Sequence, residues 1–246
     1  MNEKVLKQYL EYLQLSGIQD IFYTPKAIRT VKIAKNSEPQ TNQQIAENYN
    51  PQTSQPVKEN FDPQTRLQEL EAKYKECRNC ELWRGRTKFC YGNGNARAKL
   101  MLIGEGPGAD EDRTGQVFVG KAGQLLTKML QAIHLEREEV YIANIVKCRP
   151  PGNRNPLPEE KNACYPYLEE QIDIIKPKLI LLLGKVAAST ILEFDGTMAD
   201  YRSQTYTFKG IKTYVSFHPS ALLRNPNWKK PTWIDLQNVQ KDYENL

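Results

Sequence analysis

The sequence predicts an α/β domain built on a mainly parallel sheet. Short apolar runs at 100–103, 140–146 and 179–183 alternate with segments of helical period, the order of a parallel sheet with crossover helices. The last run, Leu-Ile-Leu-Leu-Leu, is apolar at every position, as a strand covered on both faces must be. Distinctive residues sit at the carboxyl ends of the strands: Gly104-Glu105-Gly106, Asn144, Gly184 and His218. Ligands of such sheets bind beyond those ends, so the four features are expected to converge on one site.

Each element has its own signal. Residues 1–34 open with Val5, Leu6, Tyr9, Leu10 and Leu13 at near-helical spacing, an amphipathic segment able to dock on the core or on a partner. Residues 35–65 are rich in Asn, Gln, Pro, Ser and Thr and poor in aliphatic residues. They cannot bury enough apolar surface to offset chain entropy and are expected to form a linker. The folded domain then spans 66–246. It starts with a short charged helix at 66–76 that ends at Cys77-Arg78-Asn79-Cys80. The strand at 100–103 stops at Gly104-Glu105-Gly106-Pro107-Gly108, where glycines let the backbone approach a ligand closely. The chain continues as a loop through Asp110, Glu111 and Asp112 to Phe118-Val119-Gly120. Leu125, Leu126, Met129, Leu130 and Ile133 then mark a helix over 120–133. The β-branched run at 140–146 is a strand, followed by an irregular Pro-rich loop to Pro156. Pro158, Glu159 and Glu160 suit the first turn of a helix over 158–176. After the strand at 179–183 come a helix at 185–192, two strands at 205–208 and 213–217 around Lys209-Gly210, and a closing helix at 230–246.

Composition limits the function classes. The chain has 246 residues, 39% hydrophobic, with a mean hydropathy of −0.65 that is polar for one compact domain. No apolar run approaches the roughly 20 residues of a membrane span. The first residues carry acids and lack the apolar stretch of a secretory signal, so a cytoplasmic protein without membrane contact is expected. Net charge is +5. The stretch from Lys209 to Lys230 holds Lys209, Lys212, Arg224, Lys229 and Lys230 and no acid: either a solvated face or a surface for phosphates.

Five cysteines in such a chain argue for metal binding or catalysis rather than a disulfide scaffold. Cys77 and Cys80 form one CxxC pair, and Cys148 and Cys164 flank the Pro-rich loop and the start of its helix. Four thiolates can hold tetrahedral zinc or an iron–sulfur cluster. The wide second pair tilts the balance toward a cluster with a structural role, and Cys90 is left as a buried thiol.

GEGPG at 104–108, FVGKAGQLL at 118–126, NIVKCRPPGNRNP at 144–156 and HPSALLR at 218–224, together with the four cysteines in this order, resemble the family 4 uracil-DNA glycosylases. The resemblance covers roughly 77–246. It implies a three-layer α/β/α sandwich on a four-stranded parallel sheet, and a [4Fe–4S] cluster on Cys77, Cys80, Cys148 and Cys164. It also implies a uracil pocket made by Gly104, Glu105, Gly106, Phe118, Asn144 and His218. The activity implied is excision of uracil from single- or double-stranded DNA, with no covalent enzyme–DNA bond because no lysine stands as a Schiff-base nucleophile. Glu105 and His218 are the expected catalytic pair, with Asp110, Glu111 and Asp112 as alternative acids, since Gly106 stands where better-known relatives carry a water-directing Asp. Leu222-Leu223 is the expected wedge into the duplex, and Arg224 a phosphate contact. A monomer is expected, with the N-terminal arm as a tether for a replication or repair protein. The competing reading is a non-catalytic cluster or zinc protein that binds nucleic acid. A third, a nucleotide hydrolase using the glycine loop, lacks the Lys-Ser/Thr of a P-loop.

Overall fold

The computed structural model describes residues 62–246. The N-terminal segment at 1–34 and the linker up to residue 61 lie outside the described residues. The first helix, α1 (Pro63–Tyr74), starts three residues earlier than its charge pattern suggests. Asp62 accepts the Thr65 N–H (3.2 Å) as its N-cap, and Pro63 fits the first turn.

The strands are β1 (Asn93–Gly94), β2 (Leu100–Gly104), β3 (Tyr141–Asn144), β4 (Leu179–Leu183), β5 (Tyr206–Phe208) and β6 (Ile211–Ser216), in the sheet order β1-β3-β2-β4-β6-β5. The central four, β3-β2-β4-β6, are parallel. The expected four-stranded parallel sheet is therefore the centre of a larger one, corrected to six strands by antiparallel edges at β1 and β5. β5 and β6 are joined at Lys209 (φ 48°) and Gly210 (φ 77°), the two left-handed residues of a tight hairpin.

Alternation along the central strands feeds two cores, as a doubly covered sheet requires. Met101, Ile103, Ala143, Ile180, Leu182 and Val215 face one side. There α1, α4 (Pro158–Ile175) and α5 (Lys185–Leu192) pack on them through residues such as Leu70, Leu168, Ile172 and Ala188. Leu100, Leu102, Ile142, Leu181 and Tyr214 face the other side. That side is covered by α3 (Lys121–Gln131), α7 (Pro219–Arg224) and α8 (Lys229–Tyr243). The result is the three-layer sandwich.

Two further short helices, α2 (Ala109–Thr114) and α6 (Met198–Arg202), occupy stretches whose sequence gives no apolar period. Among the described residues no helix is long and apolar enough to cross a membrane.

The parallel register brings the carboxyl ends together: Gly104 lies opposite Asn144, and Leu183 opposite Ser216. β2 is followed by β3 on one side, and the chain then returns to β4 on the other. This reversal opens a crevice at the strand ends.

Candidate active site

A cavity of about 500 Å³ lies in this crevice, bordered by Glu105, Phe118, Asn144, Gly184, His218 and Arg224 among others. The predicted residues from four separate stretches thus share one site.

Gly104 does not border it. A Cβ there would stand 2.5 Å from Asn144 Oδ1 and 2.6 Å from Phe118 Cζ. Its neighbours act alike: a Cβ on Gly106 would stand 2.7 Å from Val146 Cγ2, and one on Gly108 2.8 Å from Glu111 Oε2. These glycines clear space for the side chains that build the site, and Gly106 and Gly108 also border the cavity themselves. Gly184 (φ +91°) and Gly123 continue the pattern, since their Cβ atoms would meet His218 Cβ at 2.9 Å and the Phe118 carbonyl oxygen at 1.9 Å.

Phe118 has φ 53°. A positive φ on a bulky residue costs on the order of 1–3 kcal/mol unless its surroundings fix it. Glu111 supplies the fixing. Its carboxylate accepts the N–H groups of Val119 (2.8 Å), Gly120 (2.9 Å) and Gly108 (3.1 Å). Glu111 is thereby spent on the loop. Asp112 is likewise occupied, by the Thr87 N–H at 2.9 Å, and Asp110 is exposed beside Arg113. Of the four acids considered, Glu105 remains as the one bordering the cavity without such a task. β2 ends at Gly104, so strand alternation no longer turns Glu105 away. Burial raises its pKa above the usual carboxylate value, opposed by the charges of Arg224 and Lys161.

Asn144 is buried, and its Oδ1 finds no hydrogen-bond partner among the described residues. Its backbone carbonyl accepts the Lys147 ammonium at 2.9 Å. Lys147 is fully buried, also donates to Gln171 Oε1 at 2.6 Å, and is pushed down to about 8 by burial. Gln171 in turn donates to the Tyr91 carbonyl (2.9 Å) and the Tyr141 hydroxyl (3.1 Å). This network behind Asn144 went unread in the sequence, where the lysine resembles any loop lysine.

His218 caps α7. Its Nδ1 accepts the Ser220 N–H at 3.2 Å and lies 2.8 Å from Ser220 Oγ. A ring nitrogen that accepts a backbone N–H carries no proton, so the neutral ring holds its proton on Nε2. Burial, with a smaller contribution from the Arg224 charge, pushes His218 down to about 4. Its ring centroid is 5.5 Å from that of Phe118.

The expected wedge is divided. Leu222 is 0% exposed and belongs to the core, whereas Leu223 is 49% exposed; the turn of α7 points the two apart. The basic run is divided too. Lys209 pairs with Glu169 (3.0 Å), and Lys212 with Asp242, at the amino end of β6, while Arg224 borders the cavity at the other end.

Cys77, Cys80, Cys148 and Cys164 line a second, small cavity. Three sulfurs receive hydrogen bonds: Cys77 from the Tyr167 hydroxyl (2.9 Å), Cys148 from Arg86 (3.4 Å) and Cys164 from the Lys147 N–H (3.2 Å). Among the described residues no His, Cys, Asp and Glu side chains close on a point as around a single ion. Cys90 is fully buried apart from this set, its thiol donating to the Glu111 carbonyl at 3.2 Å.

Comparison with known proteins agrees with this geometry. Residues 91–238 match the family model of the uracil DNA glycosylase superfamily. A type-4 uracil-DNA glycosylase of Thermotoga maritima is 44% identical over 179 residues, which cover 71% of this chain and 92% of the relative. One from Archaeoglobus fulgidus is 40% identical over 182 residues, 70% of this chain and 91% of the relative. A type-5 uracil-DNA glycosylase of Pyrobaculum aerophilum is 33% identical over 176 residues, 64% and 76% of the two chains. Fold, strand-end site and sequence similarity coincide, and the chain belongs to the uracil DNA glycosylase superfamily, on its type-4 side.

Proposed function

We propose that the protein removes uracil from DNA by hydrolysing the N-glycosidic bond and leaving an abasic site. The observation that carries this reading is the buried Asn144 amide, whose Oδ1 has no partner among the described residues and which borders the cavity. An unsatisfied buried oxygen costs on the order of 1–3 kcal/mol. Uracil N3–H supplies the missing donor, and uracil O4 accepts from the amide nitrogen. Cytosine offers a bare N3 and an amino group, which reverses both contacts and costs roughly 1–3 kcal/mol per bidentate pair.

A uracil inside DNA must be unstacked at a cost of a few kcal/mol. Phe118 returns part of that by stacking on the ring, typically about 1–3 kcal/mol per base. As the C1′–N1 bond breaks, its electron pair passes to the base and charge gathers on O2. The neutral His218 donates its Nε2–H there, a hydrogen bond that strengthens as the charge grows. Water adds to C1′ and gives its proton to Glu105, whose raised pKa makes it a better base than an exposed carboxylate. Leu223 and Arg224 contact the strand beside the extruded nucleotide.

In the same reading the four cysteines hold a [4Fe–4S] cluster. The donor set supports it: four sulfurs around one cavity, three of them receiving hydrogen bonds suited to thiolates. Burial pushes the Cys164 thiol up to about 12, so a bound metal is what would keep it ionised. When bound, the cluster supplies a structural link between the segment before the sheet and the loop after β3. Residues 1–34, amphipathic in sequence, serve as the arm for a replication or repair partner, and the folded part acts as a monomer.

A single-turnover assay on a uracil-containing oligonucleotide, followed by alkali, is expected to give strand cleavage at uracil; an intact strand would refute the enzyme. Asn144→Asp is expected to lower the uracil-to-cytosine rate ratio by about 10-fold or more, and an unchanged ratio removes Asn144 from base reading. The single-turnover rate should rise with pH through the raised Glu105 value. In Glu105→Gln the slower reaction should keep only a limb near 4, from His218. An inflection near 6.5 would mean that His218 titrates as an exposed ring. The sign for stability follows: unfolded His218 takes up a proton near 6.5 and the folded ring only near 4, so its contribution is lost as pH falls between those values. The purified protein should be yellow-brown with four irons per chain; a colourless protein with zinc would reject the cluster.

A further inference from the structure

The cavity is larger than one pyrimidine fills, and one of its border residues has no task in the mechanism above. Trp228 follows α7 and borders the cavity, yet it is 38% exposed. Its ring lies nearly parallel to that of Phe217, centroids 4.9 Å apart and planes 10° apart. Phe217 lies along one face of the indole.

The mounting of this ring is rigid. Phe217 is buried and lies directly before His218. On the Phe217 ring sits the Arg202 guanidinium, 4.7 Å from its centroid. Arg202 is fixed by two hydrogen bonds to Asp235 (2.7 and 2.9 Å), and Asp235 also accepts the Ser216 hydroxyl at 2.6 Å. The backbone of Trp228 is held as well: its N–H donates to the Asn225 carbonyl (3.2 Å), and its carbonyl accepts the Thr232 hydroxyl (2.8 Å). A half-exposed indole on a buried stack loses little freedom when something flat settles on it. Exposed Leu223 and the Arg224 charge stand on the neighbouring helix, an apolar and cationic setting that suits a base and its phosphate.

We propose that Trp228 is a stacking platform for the base next to the extruded uracil on the same strand, a second nucleotide subsite of the cavity. The inference rests on the glycosylase reading of that cavity. In a duplex the neighbouring base is already stacked and paired, so the platform contributes most on single-stranded DNA or frayed ends. It is sequence-tolerant, because every base presents a face.

A protein–DNA double-mutant cycle tests this. The probes are single-stranded oligonucleotides carrying non-cleavable 2′-fluoro-2′-deoxyuridine, with the 5′ or the 3′ neighbour either present or replaced by a baseless tetrahydrofuran nucleotide. One of the two replacements is expected to weaken binding to the wild-type protein by about 5- to 150-fold. Trp228→Ala should lose a similar factor on the complete strand and become insensitive to that replacement. Trp228→Phe should restore most of the affinity. Trp228→Met, which fills the space over Phe217 without an aromatic face, reads the same cycle if the alanine variant does not fold. Equal sensitivity of wild type and both non-aromatic variants at both positions would overturn the platform. A wild-type protein that binds the strands but releases no uracil from the cleavable version contradicts the glycosylase reading instead, and the platform is then decided by the binding cycle alone.

Discussion

Gly104 and Asn144 face each other across two parallel strands, and on that pairing the site depends. Parallel register puts their side-chain positions on one face of the sheet, the face that α3 covers. Because Gly104 has no Cβ, the Asn144 amide oxygen and the Phe118 ring can both come closer to where that carbon would be, 2.5 and 2.6 Å, than a real Cβ allows. The same solution is used at Gly184 for His218 and at Gly123 for the backbone of Phe118. A rigid sheet end thus gathers Asn144, Phe118 and His218 by leaving out carbon atoms at chosen positions. The strain of Phe118 is held by one carboxylate, Glu111, through three backbone N–H groups.

The chemistry of the cavity follows from how its polar groups are supported. The Asn144 backbone carbonyl is held by a buried lysine that also bonds Gln171, while the side-chain amide oxygen is buried without a partner among the described residues. His218 borders the cavity and is held by Ser220 in the neutral form that carries its proton on Nε2. A neutral, flat base with a donor at N3 and an acceptor at O2 satisfies both. Lys147 also joins this support to the cysteines, since its N–H donates to Cys164 while its side chain reaches Asn144. The segment that holds the sulfurs and the strand end that carries Asn144 are therefore one continuous piece of structure.

Much of this was legible in the sequence, for stated reasons. The central strands and the long helices carry apolar runs or apolar periods, and burial on both sheet faces obliges them to. Asn144 and His218 could be placed at strand ends because those ends are marked by Gly, Pro and a change of polarity, and Phe118 at the start of a helix because an apolar period follows it. The edge strand β1 has two residues and no pattern. α2, with the sequence Ala-Asp-Glu-Asp-Arg-Thr, shows only polar residues, so it reads as a loop. What a missing Cβ makes room for is a tertiary fact, which is why the packing of Asn144, Val146 and Glu111 against the loop glycines could not be read. The run from Lys209 to Lys230 looked like one basic surface because sequence distance hides that β6 carries the chain from one end of the sheet to the other. The Leu222-Leu223 pair was divided by the helix period, which a short segment ending in a strand-like turn does not advertise. The Ser220 contact to His218, in contrast, is local and could have been read from His-Pro-Ser as an N-cap.

The most direct measurement is a crystal structure of the protein with free uracil bound. Uracil N3 is expected within hydrogen-bond distance of Asn144 Oδ1, O2 at His218 Nε2, and the ring against Phe118. Uracil bound in the reverse sense, with O4 toward His218, or bound outside this cavity by a protein that excises it, would contradict the assignment of these residues.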